Sequence, residues 1–260
     1  MSHQQTHLRN ADQKDFVKQF NALCGGAHSR WAVWADFVQL AAIAIANAFD
    51  MSNREEREKT YLQLASKYSK GEMQGFAELL ALVAGGMEEN SDRDFLGELY
   101  MELELGNQQA GQFFTPYDVC RAMAALTWGG QEEQIRQQGW ISVNDCACGA
   151  GATLLAFANE CKRHGIDYQT KVLFTAQDVD YTVAMMCFLQ LSLMGCAGYV
   201  VVGNTLTSPS LSVDQRGLIP VHGSDVWYTP MYFRQEWHFR RVWATMDKLF
   251  QPKVVKEETK

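Results

Sequence analysis

Hydrophobic spacing changes character once along this chain, and that change limits what it can fold into. From Asp12 to about Gly106 apolar residues recur three and four positions apart, as in Phe16, Phe20 and Leu23, and again in Trp31, Trp34, Val38, Ala41, Ala42 and Ile45. Segments Tyr61 to Tyr68, Met73 to Val83 and Asp92 to Leu105 continue the pattern, separated by Gly71, Gly85-Gly86 and the polar stretch Glu88 to Ser91. This half predicts a small helical bundle. Beyond a polar linker at Gly106 to Gly111 strands and helices alternate: strand Trp140 to Asn144, helix Thr153 to His164, strand Val172 to Thr175, helix Tyr181 to Met194, strand Tyr199 to Val202. Such alternation predicts a parallel sheet with helices on both faces. The expected partition is a helical N-terminal domain over 1–106 and an α/β domain over 107–260.

A last helix is expected from Phe233 to Phe250. Its apolar side would carry Phe233, Trp237, Val242, Met246, Leu249 and Phe250, with Arg234, Arg240, Arg241 and Lys248 on a solvated face. At 260 residues and 47% hydrophobic the chain can bury a full core. A net charge of -7 argues against a nucleic-acid-binding surface spread over the whole molecule, so any grip on DNA is local or comes from a partner. Seven cysteines, an odd number placed inside apolar runs, point to a reducing cytoplasm. The polar stretch Met1 to Lys14 has no signal-peptide pattern. The apolar run Trp31 to Phe49 contains Asp36, Gln39 and Asn47 and reads as a buried helix, so no membrane is expected.

The segment most informative for function leaves the first predicted strand and enters a helix: Asp145-Cys146-Ala147-Cys148-Gly149-Ala150-Gly151. Ligands of open parallel sheets sit at such a turn, where glycine lets backbone approach them closely. Position 154 is leucine, which weakens a dinucleotide fingerprint. The second strand ends at Gln177-Asp178, where a carboxylate could accept from both ribose hydroxyls. Asp178 or Asp180 could equally be a helix N-cap. The third strand ends at Gly203-Asn204-Thr205-Leu206, so three strands finish in polar residues on one edge. Cys146 and Cys148 lack a second pair or nearby histidines, and no metal site is expected.

These segments together resemble the N6-adenine DNA methyltransferase family, specifically the modification subunit of type I restriction-modification systems. Gly111-Gln112-Phe113-Phe114-Thr115-Pro116 is similar to the family's G-x-F-[YF]-T-P box, Asp145 to Gly151 to D-P-x-C-G-[ST]-G with Cys146 where proline is usual, and Gly203 to Leu206 to G-D-T-L with Asn204 replacing aspartate. The resemblance implies a Rossmann-like S-adenosylmethionine-dependent methyltransferase sheet and S-adenosylmethionine as cofactor. The implied cofactor-binding residues are Gln112, Phe113, Phe114, Thr115, Pro116, Asp145, Ala147, Cys148, Gly149, Gly151, Asp178 and Asn204. It further implies methyl transfer to a flipped adenine of double-stranded DNA, with a separate specificity subunit or other protein partner. Asparagine still offers an oxygen to the cofactor's adenine amine.

The family's catalytic tetrapeptide, [ND]-P-P-[YF], follows its fourth strand. In register here is Thr229-Pro230-Met231-Tyr232, which makes Thr229, Pro230 and Tyr232 the implied catalytic residues. Threonine is shorter than asparagine, so polarisation of the amine is weakened. Trp227, Tyr228 and Tyr232 can be read as packed strand-end aromatics or as base-stacking rings. The short stretch after Tyr232 implies a sheet incomplete at its C-terminal side or completed by a partner or second copy. Two alternatives to a DNA methyltransferase follow: a cofactor-binding but inactive homologue acting as an interaction subunit, and a protein-glutamine methyltransferase.

Overall fold

A computed structural model describes residues 11–25, 28–105, 114–221 and 225–250. The N-terminal part, up to residue 105, holds α1 (Ala11–Leu23), α2 (Arg30–Phe49), α3 (Arg54–Ala65), α4 (Lys70–Glu89) and α5 (Phe95–Glu102). Their starts follow local chemistry. Ser69 and Glu72 form a capping box at α4, and Asp94 caps α5 by accepting from Gly97 N–H. Their apolar stripes meet in one aromatic cluster, with Phe16 in edge contact with Trp34, Phe37 and Phe95, all fully buried.

Helix α2 is long and apolar enough to cross a membrane, with mean hydropathy 1.6. Its polar residues are nevertheless bonded to protein: Asp36 accepts from Tyr68 Oη at 2.8 Å, and Asn47 from Arg57 Nε at 3.0 Å. Arg57 also pairs with Asp50 at 2.9 Å.

The sheet order is β1 (Ile141–Asp145), β2 (Val172–Asp178), β3 (Ala197–Val202), β4 (Asp225–Tyr228). Helix α6 (Tyr117–Thr127) and α7 (Gln131–Gln138) precede it, α8 (Ala152–Arg163) and α9 (Tyr168–Lys171) join β1 to β2, and α10 (Tyr181–Leu193) joins β2 to β3. A 3-10 turn at Pro230–Phe233 and α11 (Gln235–Phe250) follow β4. Strands β1 to β3 are parallel. At Gly198 a Cβ would fall 1.7 Å from the carbonyl oxygen of Phe174, so β2 and β3 can close only around a glycine.

One expectation about the sheet is corrected. Strand β4 runs antiparallel to β3, with Tyr199 opposite Tyr228 and Val202 opposite Asp225. A parallel neighbour needs a crossover, commonly a helix, and no helix lies between residues 203 and 221. Helices do lie on both faces, as expected, but unequally. Phe174, Ala176, Val200 and Trp227 join α8, α10 and the N-terminal helices in one continuous core. The opposite face, with Leu173, Tyr199, Val201 and Val226, is covered by Trp140, Leu218, Tyr232 and Trp237. Helix α2 packs directly on α10, so the early helices form a further layer over the crossovers. The domain boundary expected near residue 106 lies outside the described residues.

Helix α11 also departs from its expected orientation. Trp237 is fully buried, but Phe239, Val242, Trp243 and Met246 are exposed, while Arg240 and Arg241 are partly buried. The side chains of Lys248, Leu249 and Phe250 lie outside the described residues.

Candidate functional site

The C-terminal ends of β1, β2 and β3 meet at one edge. Gly149 (φ +54°) and Gly151 (φ +98°) adopt left-handed backbone, and Gly151 caps α8. A Cβ at Gly149 would come within 3.3 Å of the Phe114 ring, and one at Gly151 within 2.9 Å of Cys187 Sγ. Asp145 organises the turn, accepting from Ala147 N–H at 3.1 Å and from the Thr153 hydroxyl. Cys148 packs inward and is buried, whereas Cys146 is exposed. The Thr205 hydroxyl donates to the Cys146 carbonyl, tying the third turn to the first.

Asp178 sits beside the glycine turn. Its Oδ2 accepts from Gly149 N–H at 2.9 Å and its Oδ1 from Asp180 N–H at 3.0 Å. The cap of α10 is Asp180, which accepts from Val183 N–H, so of the two carboxylates it is Asp180 that takes the capping role. Asp178 is partly exposed, and each of its oxygens keeps acceptor capacity beyond its one bond. Asn204 is exposed, but its Oδ1 is turned back onto the N–H groups of Leu206 at 2.9 Å and Thr207 at 3.3 Å. That differs from the expected acceptor role, because the side-chain amide nitrogen is now the freer end. Phe114 stacks on Tyr100 with centroids 5.4 Å apart, and Thr115 and Pro116 lead exposed into α6. Gln112 and Phe113 lie outside the described residues.

Several contributors were not anticipated. Val179 and Leu206, 69% and 93% exposed, flank Asp178 and Asn204 with apolar surface. Their position directly after the strand-end polar residues was a readable signal. Gln177 is buried and clamps the third turn, donating to the carbonyls of Gly203 and Ser208 and accepting from Ser210 N–H at 2.8 Å. Beneath the glycine turn, Gln190 donates to the Ala150 carbonyl at 2.8 Å and to Asp94 Oδ1 at 2.7 Å, and accepts from Leu96 N–H at 3.1 Å. Asp94 is fully buried, and loss of hydration pushes its carboxyl up to about 6 despite the Gln190 and Gly97 bonds that favour the anion.

The expected catalytic residues Thr229, Pro230 and Tyr232 are placed elsewhere. Because β4 is antiparallel, Asp225 lies at the edge just described and Thr229 at the opposite one, about 13 Å away along the sheet. Thr229 is fully buried; its hydroxyl accepts from Gly198 N–H at 3.0 Å and donates to the Cys196 carbonyl at 2.6 Å. Pro230 opens the 3-10 turn. Tyr232 is buried, donates to the Leu218 carbonyl at 2.8 Å and stacks on Tyr228. Trp227 packs against Phe188 and Tyr181 on the other face. Register along the sequence does not specify strand direction, so the tetrapeptide could be aligned with a motif without sharing its place.

No curated protein matches the chain. The model of the N-6 DNA methylase family matches residues 91–259, which span α5, the glycine turn, the whole sheet and α11. With more than half its length matched, the chain belongs to the N-6 DNA methylase family.

Proposed function

We propose that this chain binds S-adenosylmethionine at the edge formed by the 145–151 turn, Asp178 and the 203–206 turn. We further propose that it serves methylation of adenine N6 in double-stranded DNA, in the manner of a type I modification subunit. The bond from Gly149 N–H to Asp178 carries this reading. It fixes a carboxylate suited to a ribose diol beside a left-handed turn at the N-terminus of α8, where the helix dipole favours a carboxylate group. The residues fit such a cofactor: the glycine turn has no room for Cβ atoms, and Val179 and Leu206 offer apolar surface to a purine.

When bound, the cofactor supplies the electrophilic methyl group. Phe114, stacked on Tyr100 and close against Gly149, shields the turn from water. The target adenine must leave the base stack to present its amine in line. Thr229 cannot polarise that amine while its hydroxyl is bonded to Cys196 and Gly198. The acidic net charge does not favour an unaided grip on DNA and is consistent with the proposal that a specificity subunit supplies sequence recognition.

The buried state of Thr229 favours a second reading, a cofactor-binding subunit without methyl transfer of its own. Calorimetry with S-adenosylmethionine on the purified chain, followed by transfer of labelled methyl to duplex DNA with and without the specificity partner, separates the two. Saturable binding with label in DNA supports the enzyme. Binding without label under every condition supports the second reading, and absence of binding removes both.

A further inference from the structure

The opposite edge of the sheet holds a cavity of about 350 Å³ between the start of β1, the 213–218 segment and α11. Arg216 and Arg240 line it. The Arg216 guanidinium lies 3.5 Å from the centroid of the Trp140 ring, and that of Arg240 lies 4.3 Å from the Trp237 ring. Each donates to a single backbone carbonyl: Arg216 to Trp140, and Arg240 to Thr170 at 2.7 Å. Five donors per guanidinium leave most of that capacity for another partner.

Among the described residues neither arginine forms an ion pair. The carboxylate of Asp214, the neighbour that most favours the Arg216 charge, is occupied by the N–H groups of Arg216, Leu218 and Ile219 at 2.9, 3.1 and 2.8 Å. Burial lowers the pKa of both arginines and the Arg216 charge lowers that of Arg240 further, with Glu236 offsetting part of the effect on Arg240 and Asp214 part of that on Arg216. Two partly dehydrated cations that repel each other across a cavity are relieved by an anion between them. The cavity also contains the Trp243 indole, 65% exposed, with Asp247 exposed nearby. An aromatic wall beside paired guanidiniums suits a phosphate carrying a flat ring, and the volume falls in the range of small-molecule sites.

We infer that this cavity binds a nucleotide, Arg216 and Arg240 holding the phosphate and Trp243 stacking on the base. The nucleotide is either a free nucleoside monophosphate or part of a DNA strand. The site is separate from the cofactor edge and does not depend on that assignment.

Tryptophan fluorescence of the full chain, titrated in separate arms with deoxyadenosine monophosphate, inorganic phosphate and a short single-stranded oligonucleotide, tests it. The mononucleotide or oligonucleotide is expected to bind at least about tenfold tighter than phosphate. Arg216→Gln and Arg240→Gln should each weaken binding about tenfold. Trp243→Ala, at an exposed position where folding is not at stake, should weaken nucleotide but not phosphate binding. Tighter binding of the oligonucleotide than the mononucleotide identifies DNA as the source, and the reverse identifies the free nucleotide. Absence of saturable binding in all three arms up to about 10 mM overturns the proposal, as does equal binding of phosphate and nucleotide unaffected by Trp243→Ala.

Discussion

The two edges of the sheet are built from the same strands and differ in how their polar groups are used. At the edge carrying Gly149 and Asp178, hydrogen bonds shape the turns and leave carboxylate, amide and apolar surface facing outward. At the edge carrying Thr229, the hydroxyl bonds inward and Tyr228 and Tyr232 stack, and the spare donors belong instead to Arg216 and Arg240 at the neighbouring cavity. A polar residue at a strand end is therefore not a site by itself. What distinguishes a site is hydrogen-bonding capacity left over once the fold has been satisfied.

The largest test of this contrast concerns the support under the first edge. Burial pushes the Asp94 carboxyl up to about 6 from the ordinary 3.8, so the folded state holds its proton to higher pH. Stability from this group should fall as pH rises from about 4 to 6 and stay level above, a cost of about 3 kcal/mol. Asp94→Asn keeps Oδ1, which receives both the Gly97 and Gln190 bonds, and should remove that slope in urea unfolding measured across the window. An unchanged slope would assign the pH dependence to other groups.

Asp178→Ala should weaken S-adenosylmethionine binding by calorimetry about 10- to 100-fold, the value of charge-assisted bonds to a ribose, and, because the Gly149 and Asp180 N–H groups lose their acceptor, should also cost about 2 kcal/mol of stability. Equal affinity in the variant would leave the first edge without its defining residue. Thr229→Val removes two buried bonds and should cost about 2 kcal/mol of stability while leaving cofactor affinity intact. A large loss of affinity at unchanged stability would erase the distinction between the edges. The smallest effect is expected at Leu206→Ser, where cofactor affinity falls a few-fold and stability stays within about 0.5 kcal/mol, because the side chain is 93% exposed.

Local features of the fold and first edge were legible in the residues. Glycines at 149 and 151, polar strand ends and the N-cap at α10 all act within a few positions of themselves, and local chemistry fixes them. Strand direction was less legible. Nothing in Asp225 to Tyr228 specifies it, although the helix-free segment after β3 was the available sign. Long-range bonds were not legible at all: Gln190 and Asp94 are 96 positions apart, and neither carries a pattern that names the other. The orientation of α11 misled for a related reason, since Arg240 finds the aromatic face of distant Trp140, while Arg241 covers Tyr232 in the turn just before the helix.

The order β1-β2-β3-β4 has a kinetic consequence. Each strand pairs with the one made just before it, so the sheet can assemble in the order of synthesis through short chain closures. The contact of α2 with α10 joins segments more than 130 residues apart and carries a larger closure entropy. Pulse-labelling hydrogen exchange during refolding should therefore find β2 and β3 protected before α2, with the early helices docking onto a sheet that already exists.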